Sequence, residues 1–230
     1  MFANFDFDVI ARTWQALIFQ GLAFTLQVTV LAMVGGVVLG TLLAMMRLSS
    51  IKPLSWFAAG YVNLLRSIPL VLVIFWFYFL VPYIGAWIIG SPTPVKVGAF
   101  TSALLTFILF EACYYCEIMR AGIQSIAVGQ ASAAQALGLN YWQVMAHVVL
   151  PQALRNMTPV LLTQTIVLFQ DVSLVYIISL PDFVTIATKV AQRDGRLVEM
   201  YLFVAVVYFA ICLLLSYWVK RLQLRIAVVR

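Results

Sequence analysis

The sequence predicts an all-α integral membrane protein with five transmembrane helices, and two observations carry this prediction. The chain has 230 residues, of which 64% are hydrophobic and only 10% are charged, and its mean hydropathy is +1.04. A helix needs about 20 apolar residues to cross the hydrocarbon core, so long uncharged windows are typical of membrane spans. Such windows, which lack the alternation of barrel strands, predict spans near 20–46, 55–80, 98–120, 156–180 and 199–219.

The whole chain, 1–230, is predicted to form a single transmembrane domain, because no low-complexity linker or internal repeat divides it. In the first span, Gly36 and Gly40 form a GxxxG pattern, which favours close approach of two helices. The second span is interrupted by Arg66-Ser67-Ile68-Pro69, and a proline-rich outer loop is predicted over 81–96.

The distribution of Lys and Arg predicts the orientation of the chain in the membrane. With five spans, the N-terminus lies outside and the basic tail lies in the cytoplasm. The cytoplasmic side then collects Arg47, Lys52, Arg120, Arg155, Lys220, Arg221, Arg225 and Arg230, and the outer side collects Arg12, Lys96, Lys189, Arg193 and Arg196. The net charge of +6 is interpreted as a result of the membrane topology and of attraction to anionic lipid, rather than as a sign of nucleic-acid binding.

The segment 129–151 is too polar to be a span and too regular to be a loop. Helix formers over 131–137, Gly138 as a helix terminator and a capping box at Asn140 and Gln143 predict a helical hairpin. Pro151 is expected to prevent a smooth continuation into the next span. The alternative is an amphipathic helix lying on the membrane, but such helices favour Lys and Arg on the polar face, and none occurs between Ala121 and Leu154. The hairpin is therefore predicted to bind another protein.

Enzyme chemistry finds little support in the sequence. No GxxxxGK[ST] phosphate-binding loop occurs, the single histidine is His147, and the acidic residues are scattered. Cys113, Cys116 and Cys212 are interpreted as apolar packing, and no metal or cofactor is predicted. A secondary transporter that works without an ATPase remains an alternative, although the inverted repeats typical of that class are not visible.

The hairpin also resembles the EAA loop of bacterial ABC importer permeases, which reads EAA, three residues, Gly, nine residues, Ile, one residue and Leu-Pro. Here the pattern falls on Ser132-Ala133-Ala134, Gly138, Val148 and Leu150-Pro151, with Ser132 in place of the usual glutamate. Further segments resemble the polar amino acid branch of that family. They are GLAFTLQVT at 21–29, YVNLLRSIPL at 61–70, EIMRAGIQSI at 117–126, LPQALR at 150–155 and QDVSL at 170–174. Within that branch, the runs FEACYYCEIMRAGIQSI at 110–126 and LLTQTIVLFQDVSLVYIISL at 161–180 are most similar to a glutamate/aspartate permease subunit.

The resemblance implies an ATP-driven importer in the bacterial inner membrane that works by alternating access. Its partners would be a cytoplasmic ABC ATPase dimer that binds ATP and magnesium, a second permease subunit and a periplasmic amino acid-binding protein. The second permease is expected to be a paralogue rather than an identical chain. The resemblance assigns coupling to the ATPase to Gly129, Ser132, Ala133, Ala134, Gly138, Leu150 and Pro151.

Candidate residues of the substrate path are the polar groups inside the spans, because burying them in lipid is costly. They are Arg66, Glu111, Gln170, Asp171 and Ser173. Arg66 either binds a substrate carboxylate or pairs with an internal carboxylate, and Asp171 either receives an α-ammonium group or pairs with Arg66. Glu117 and Arg120, at i and i+3, are predicted to form a gate or a structural pair. Polar packing between helices accounts for Gln164.

Overall fold

The computed structural model of the protein describes residues 5–226, and within this range the chain forms helices and no β-strand. Five helical segments are long and apolar enough to cross a membrane, which confirms the predicted fold class. These segments are Asp8–Leu48, Leu70–Ile89, Ala99–Gln124, Tyr141–Ile178 and Leu197–Ile226. Arg230, assigned above to the basic tail, lies outside the described residues.

Eleven α-helices build these segments and the connections between them. They are α1 Asp8–Gln15, α2 Ala23–Leu48, α3 Lys52–Arg66, α4 Leu70–Phe75, α5 Val81–Ile89, α6 Ala99–Gln124, α7 Val128–Ala136, α8 Tyr141–Val144, α9 Leu150–Asp171, α10 Phe183–Asp194 and α11 Leu197–Ile226. The π-helical turns Ala16–Leu22, Trp76–Leu80 and Met145–Val149 join α1 to α2, α4 to α5 and α8 to α9, and the 3-10 helix Val172–Ile178 extends α9.

Helix α6 forms the centre of the bundle, and α2 packs along it through glycine. A Cβ atom on Gly40 would lie 2.8 Å from Cβ of Tyr115 and 2.9 Å from the carbonyl oxygen of Ala112. One turn earlier, a Cβ on Gly36 would lie 3.1 Å from the Tyr115 ring. The predicted close approach at the GxxxG pattern is therefore confirmed, because any side chain at Gly40 would displace backbone.

The predicted span 55–80 covers two separate elements, and the predicted loop over 81–96 is largely helical. Helix α3 ends at Arg66, and the extended backbone of Pro69, with ψ 133°, separates it from α4. The span proper is Leu70–Ile89. It continues past Pro82 because this proline stands in the first turn of α5, where the missing N–H costs least.

The prediction that Pro151 prevents a smooth continuation is wrong. The helix that begins at Tyr141 runs without a break through the π turn into α9 and ends at Ile178. Within this turn the N–H of Leu150 donates to the carbonyl of Met145, five residues back. The wider turn places Pro151 at the start of a new α-helical register, where its lack of an N–H is tolerated.

At the predicted outer end, the short helix α10 packs against the first span. The backbone N–H of Phe183 donates to Oγ1 of Thr25 over 3.1 Å, and a Cβ on Gly21 would lie 2.9 Å from Cα of Phe183. Asp182, which lies between the spans and is fully buried, caps α10 by accepting from Val184 N and Thr185 N. Burial raises the pKa of the Asp182 carboxyl, while hydrogen bonds from Thr185 and Val184 act in the opposite direction.

Candidate functional site

The predicted hairpin is present and its turn is locked by backbone hydrogen bonds. Helix α7 ends at Ala136, and Gly138 adopts a left-handed conformation with φ +88°. The N–H of Gly138 donates to the carbonyl of Gln135 over 2.9 Å, and that of Leu139 donates to Ala134 over 3.2 Å. This pair of bonds is a Schellman motif, which requires a residue that tolerates positive φ. The positive φ that this turn requires therefore explains why position 138 is a glycine.

The second helix of the hairpin begins as the sequence predicts. Asn140 accepts from the backbone N–H of Gln143 over 3.0 Å, and the Gln143 side chain accepts from the N–H of Asn140 over 2.9 Å. This reciprocal capping box starts α8 at Tyr141. A small apolar core of Ala134, Val144 and Val149 holds α7 against the helix that follows. The hairpin is a folded unit rather than a loop.

The tip of the hairpin, residues 137–142, presents a bare apolar surface. Leu137 is 82% exposed and Trp142 is 77% exposed. Of the predicted coupling residues, Ala134 lies in the hairpin core, whereas the others are exposed. Exposed large apolar side chains grouped at one end of a rigid unit are typical of a protein interface.

Glu111 lies at the centre of the bundle. It is fully buried on α6, and its Oε2 accepts a hydrogen bond of 3.0 Å from Nε2 of Gln164 on α9. Tyr115, one turn later on α6, shares a hydrogen bond of 3.1 Å with the Thr165 hydroxyl. Among residues 5–226 no partner is found for Oε1 of Glu111. The polar packing predicted for Gln164 is therefore observed, and its partner is Glu111.

Arg66 stands at the end of α3, next to the helix break, and is exposed rather than deep within a span. Its guanidinium carbon lies 5.3 Å from the centre of the Tyr114 ring, within cation–π range. In residues 5–226, no carboxylate oxygen lies within 4.0 Å of Arg66. Arg66 also lines an open cleft of about 420 Å³ between α3, α6 and α9, with Glu117 and Asn156 in its wall.

The other candidate path residues occupy different positions at the end of α9. Asp171, the last residue of α9, is half-buried. Gln170 is exposed and donates over 3.3 Å to Sγ of Cys212 on α11, away from Arg66. Ser173 is half-buried in the 3-10 turn. The geometry thus places the Arg66 guanidinium over Tyr114, one turn of α6 from Glu111, whereas Gln170 contacts α11.

Glu117 and Arg120 form the predicted pair, and a third residue joins them. Nη2 of Arg120 donates to Oε2 of Glu117 over 2.7 Å, and Nη1 of Arg120 donates to Gln124 over 2.6 Å. The Arg47 guanidinium, at the last turn of α2, pairs with Oε1 of the same carboxylate. Glu117 is therefore shared by two arginines, and it ties the end of α2 to α6.

Comparison with known proteins identifies the family. Residues 36–228 match the family described as binding-protein-dependent transport system inner membrane component. This chain belongs to that family. It is 52% identical over 224 residues to the glutamate/aspartate import permease protein GltK of Escherichia coli O157:H7, covering 97% of this chain and 99% of that protein.

Other relatives agree with this assignment. The chain is 33% identical over 207 residues to the probable glutamine ABC transporter permease protein GlnM of Bacillus subtilis strain 168, covering 90% of this chain and 92% of the relative. It superposes with a TM-score of 0.86 and 31% identity on a crystal structure of an amino acid ABC transporter with histidines, covering 96% of this chain and 98% of that one. The predicted importer permease class is confirmed, and the secondary-transporter alternative gains no support.

The structure places two further residues at the site, Tyr114 and Arg47. The sequence carries a signal for Tyr114, because its spacing of three residues from Glu111 puts both on one side of α6. For Arg47 the sequence indicates only a topology charge, and nothing in the local sequence indicates that it reaches Glu117, seventy residues further on. The tertiary contact between α2 and α6 alone supplies this pairing.

Proposed function

We propose that this permease forms the translocation path of an importer for acidic amino acids and takes its energy from a separate cytoplasmic ABC ATPase. The observation that carries the proposal is the hairpin. Its exposed apolar tip is built onto a single helix that runs from Tyr141 into the bundle as far as Ile178. A force applied at the tip would therefore reach Gln164 and Asp171 directly. Such a lever allows an ATPase outside the membrane to change packing inside it.

The preference for glutamate and aspartate rests on the 52% identity to the glutamate/aspartate permease and on the charges around Tyr114. An arginine without a carboxylate partner can bind a ligand carboxylate, and a nearby acid can receive an ammonium group. In this proposal Arg66 binds a carboxylate, Asp171 receives the α-ammonium group, and Glu111 with Gln164 holds α6 and α9 in register. Gln170 and Ser173 are proposed to line the path at its edge.

The proposed topology places the N-terminus in the periplasm and the C-terminus in the cytoplasm of the bacterial inner membrane. The hairpin then faces the cytoplasm, where the ATPase dimer would bind it through Gly129, Ser132, Ala133, Gly138, Leu150 and Pro151. Ala134 would act from within the hairpin core. The remaining proposed partners are a second permease subunit, with a paralogue preferred over an identical chain, and a periplasmic amino acid-binding protein. ATP and magnesium would be bound by the ATPase.

Amino acid-stimulated ATP hydrolysis in proteoliposomes tests this function. The complex contains this permease, its co-encoded ATPase, any second permease and the binding protein. We expect glutamate or aspartate to stimulate hydrolysis and to accumulate in the vesicles. Stimulation by neutral amino acids alone would contradict the proposed substrate, and failure of the chain to assemble with an ATPase would contradict the proposed function.

A further inference from the structure

The base of the hairpin is closed by two polar contacts that the coupling motif does not include. Nε2 of Gln152 on α9 donates to Oε1 of Gln130 on α7 over 2.6 Å. Nδ2 of Asn156 donates to Oγ of Ser125 over 2.8 Å. Gln152 and Asn156 are four residues apart on α9, so they lie on one face of the helix. These four residues are named the base strap.

The strap joins three elements rather than two. The Ser125 hydroxyl, which accepts from Asn156, also donates to the carbonyl of Gly122 on α6 over 2.7 Å. A Cβ on Gly122 would lie 3.0 Å from Cβ of Met157, so α6 and α9 are already in close contact there. The strap therefore fixes the end of α6, the start of α7 and the start of α9 relative to one another.

Gln152 has a second contact, at the irregular turn of the helix. Its Nε2 also donates to the carbonyl of Val148 over 2.9 Å. Val148 lies in the π turn Met145–Val149, where the regular hydrogen-bond ladder is interrupted and Pro151 supplies no N–H. A single side-chain amide thus binds both the irregular turn and the opposite helix of the hairpin.

We infer that the base strap, with Gln152 at its centre, makes the hairpin and α9 move as one rigid lever. The strap residues are exposed or half-buried, and solvated hydrogen bonds add little to stability. Their contribution is geometric, because they prevent the hairpin from bending at the π turn when its tip is moved. Gln130, Gln152, Ser125 and Asn156 are positioning residues, and they act through α9. This inference rests on the proposed function.

Two isosteric variants of equal charge test it in the reconstituted complex with glutamate as the transported substrate. Gln152→Glu removes the donor and places a carboxylate beside the Val148 carbonyl. Gln130→Glu keeps the acceptor oxygen and adds the same charge, so it is the matched control. We expect Gln152→Glu to retain ATP hydrolysis and to raise several-fold the ATP consumed per glutamate transported, whereas Gln130→Glu keeps the wild-type ratio. A wild-type ratio in Gln152→Glu would overturn the inference while leaving the importer function intact.

A crosslinking experiment decides the matter even if Gln152→Glu fails to fold. Gln130→Cys and Gln152→Cys are combined and joined with a short, reducible bifunctional methanethiosulfonate reagent. If the strap stays closed throughout the cycle, transport survives crosslinking. If crosslinking abolishes transport and reduction restores it, the strap opens during the cycle and the rigid-lever inference is wrong. Absence of glutamate-stimulated hydrolysis in the wild-type complex would instead count against the proposed function.

Discussion

Gln164, which is half-buried, donates a hydrogen bond of 3.0 Å to the fully buried Glu111. The contact joins α6 to α9 at mid-span, and α9 is continuous with the hairpin. Hydrogen bonds between membrane helices contribute on average about 0.6 kcal/mol. A buried donor that loses its acceptor costs more, about 1–3 kcal/mol.

These magnitudes predict different effects for two substitutions of Glu111. Glu111→Leu leaves the Gln164 amide without its acceptor, so we expect a loss of about 1–3 kcal/mol of stability. Glu111→Gln keeps an acceptor oxygen and the side-chain shape, so it should remain closer to wild type. Thermal unfolding in detergent measures both. Equal destabilisation by the two variants would show that the charge, not the hydrogen bond, is what Glu111 contributes.

Because two arginines share the Glu117 carboxylate, the loss of Glu117 should destabilise the protein more than the loss of Arg47. Glu117→Gln leaves Arg47 and Arg120 facing each other without a counter-charge, whereas Arg47→Gln leaves Glu117 still paired with Arg120. The Arg47 and Glu117 side chains are 18% and 20% exposed, so we expect Glu117→Gln to cost about 1–3 kcal/mol and Arg47→Gln to cost less.

The matched control for this ranking is the exposed pair of Arg193 and Asp194, in which the arginine is 65% exposed. Arg193→Gln should leave stability close to that of the wild type, because an ion pair in water contributes little. Thermal unfolding of the three variants side by side gives the ranking. A larger loss for Arg47→Gln than for Glu117→Gln would contradict the shared-carboxylate arrangement.

Helix packing predicts opposite outcomes at two glycines. A side chain on Gly40 would meet backbone atoms of α6 at 2.9 and 3.0 Å, whereas nothing lies within 4 Å of a Cβ on Gly60. Gly40→Leu should therefore destabilise the bundle by about 1–3 kcal/mol, and Gly60→Leu should be tolerated within this subunit. Expression level and thermal stability of the isolated permease measure the difference. Comparable stability of the two variants would show that α2 and α6 are less closely packed than the structure has them.

A side chain at position 138 would cause conformational strain but no steric crowding. No atom lies within 4 Å of a Cβ there, but φ is +88°, and the left-handed conformation costs an L-residue roughly 1–2 kcal/mol. We expect Gly138→Val to distort the tip, to leave the spans folded and to uncouple ATP hydrolysis from uptake. The control is Gly60→Val, because Gly60 is equally open, has no positive φ and lies on α3, outside the hairpin. Normal glutamate uptake by Gly138→Val would refute the requirement for this turn.

Local chemistry explains why the hairpin could be read from sequence in such detail. Helix ends depend on capping residues and glycine, which act within a few positions, so Gly138, Asn140 and Gln143 predict their own turn. The prediction for Pro151 is wrong because the effect of a proline on a helix depends on the turn before it. A π turn at Met145–Val149 shifts the hydrogen-bond register so that the proline stands in a first turn. No single residue in that stretch indicates the shift.

The sequence by itself determined the membrane-spanning class, the number of spans, the hairpin and the permease family. Each of these depends on composition or on spacing along the chain. Only the tertiary structure decided that Arg47 reaches Glu117, that Gln164 meets Glu111, that Tyr114 lies under Arg66 and that the strap closes the hairpin base. These contacts join residues on different helices, and the rotation and depth at which the helices pack are set by close contacts such as Gly40 against α6. The charges available to a substrate follow from that packing.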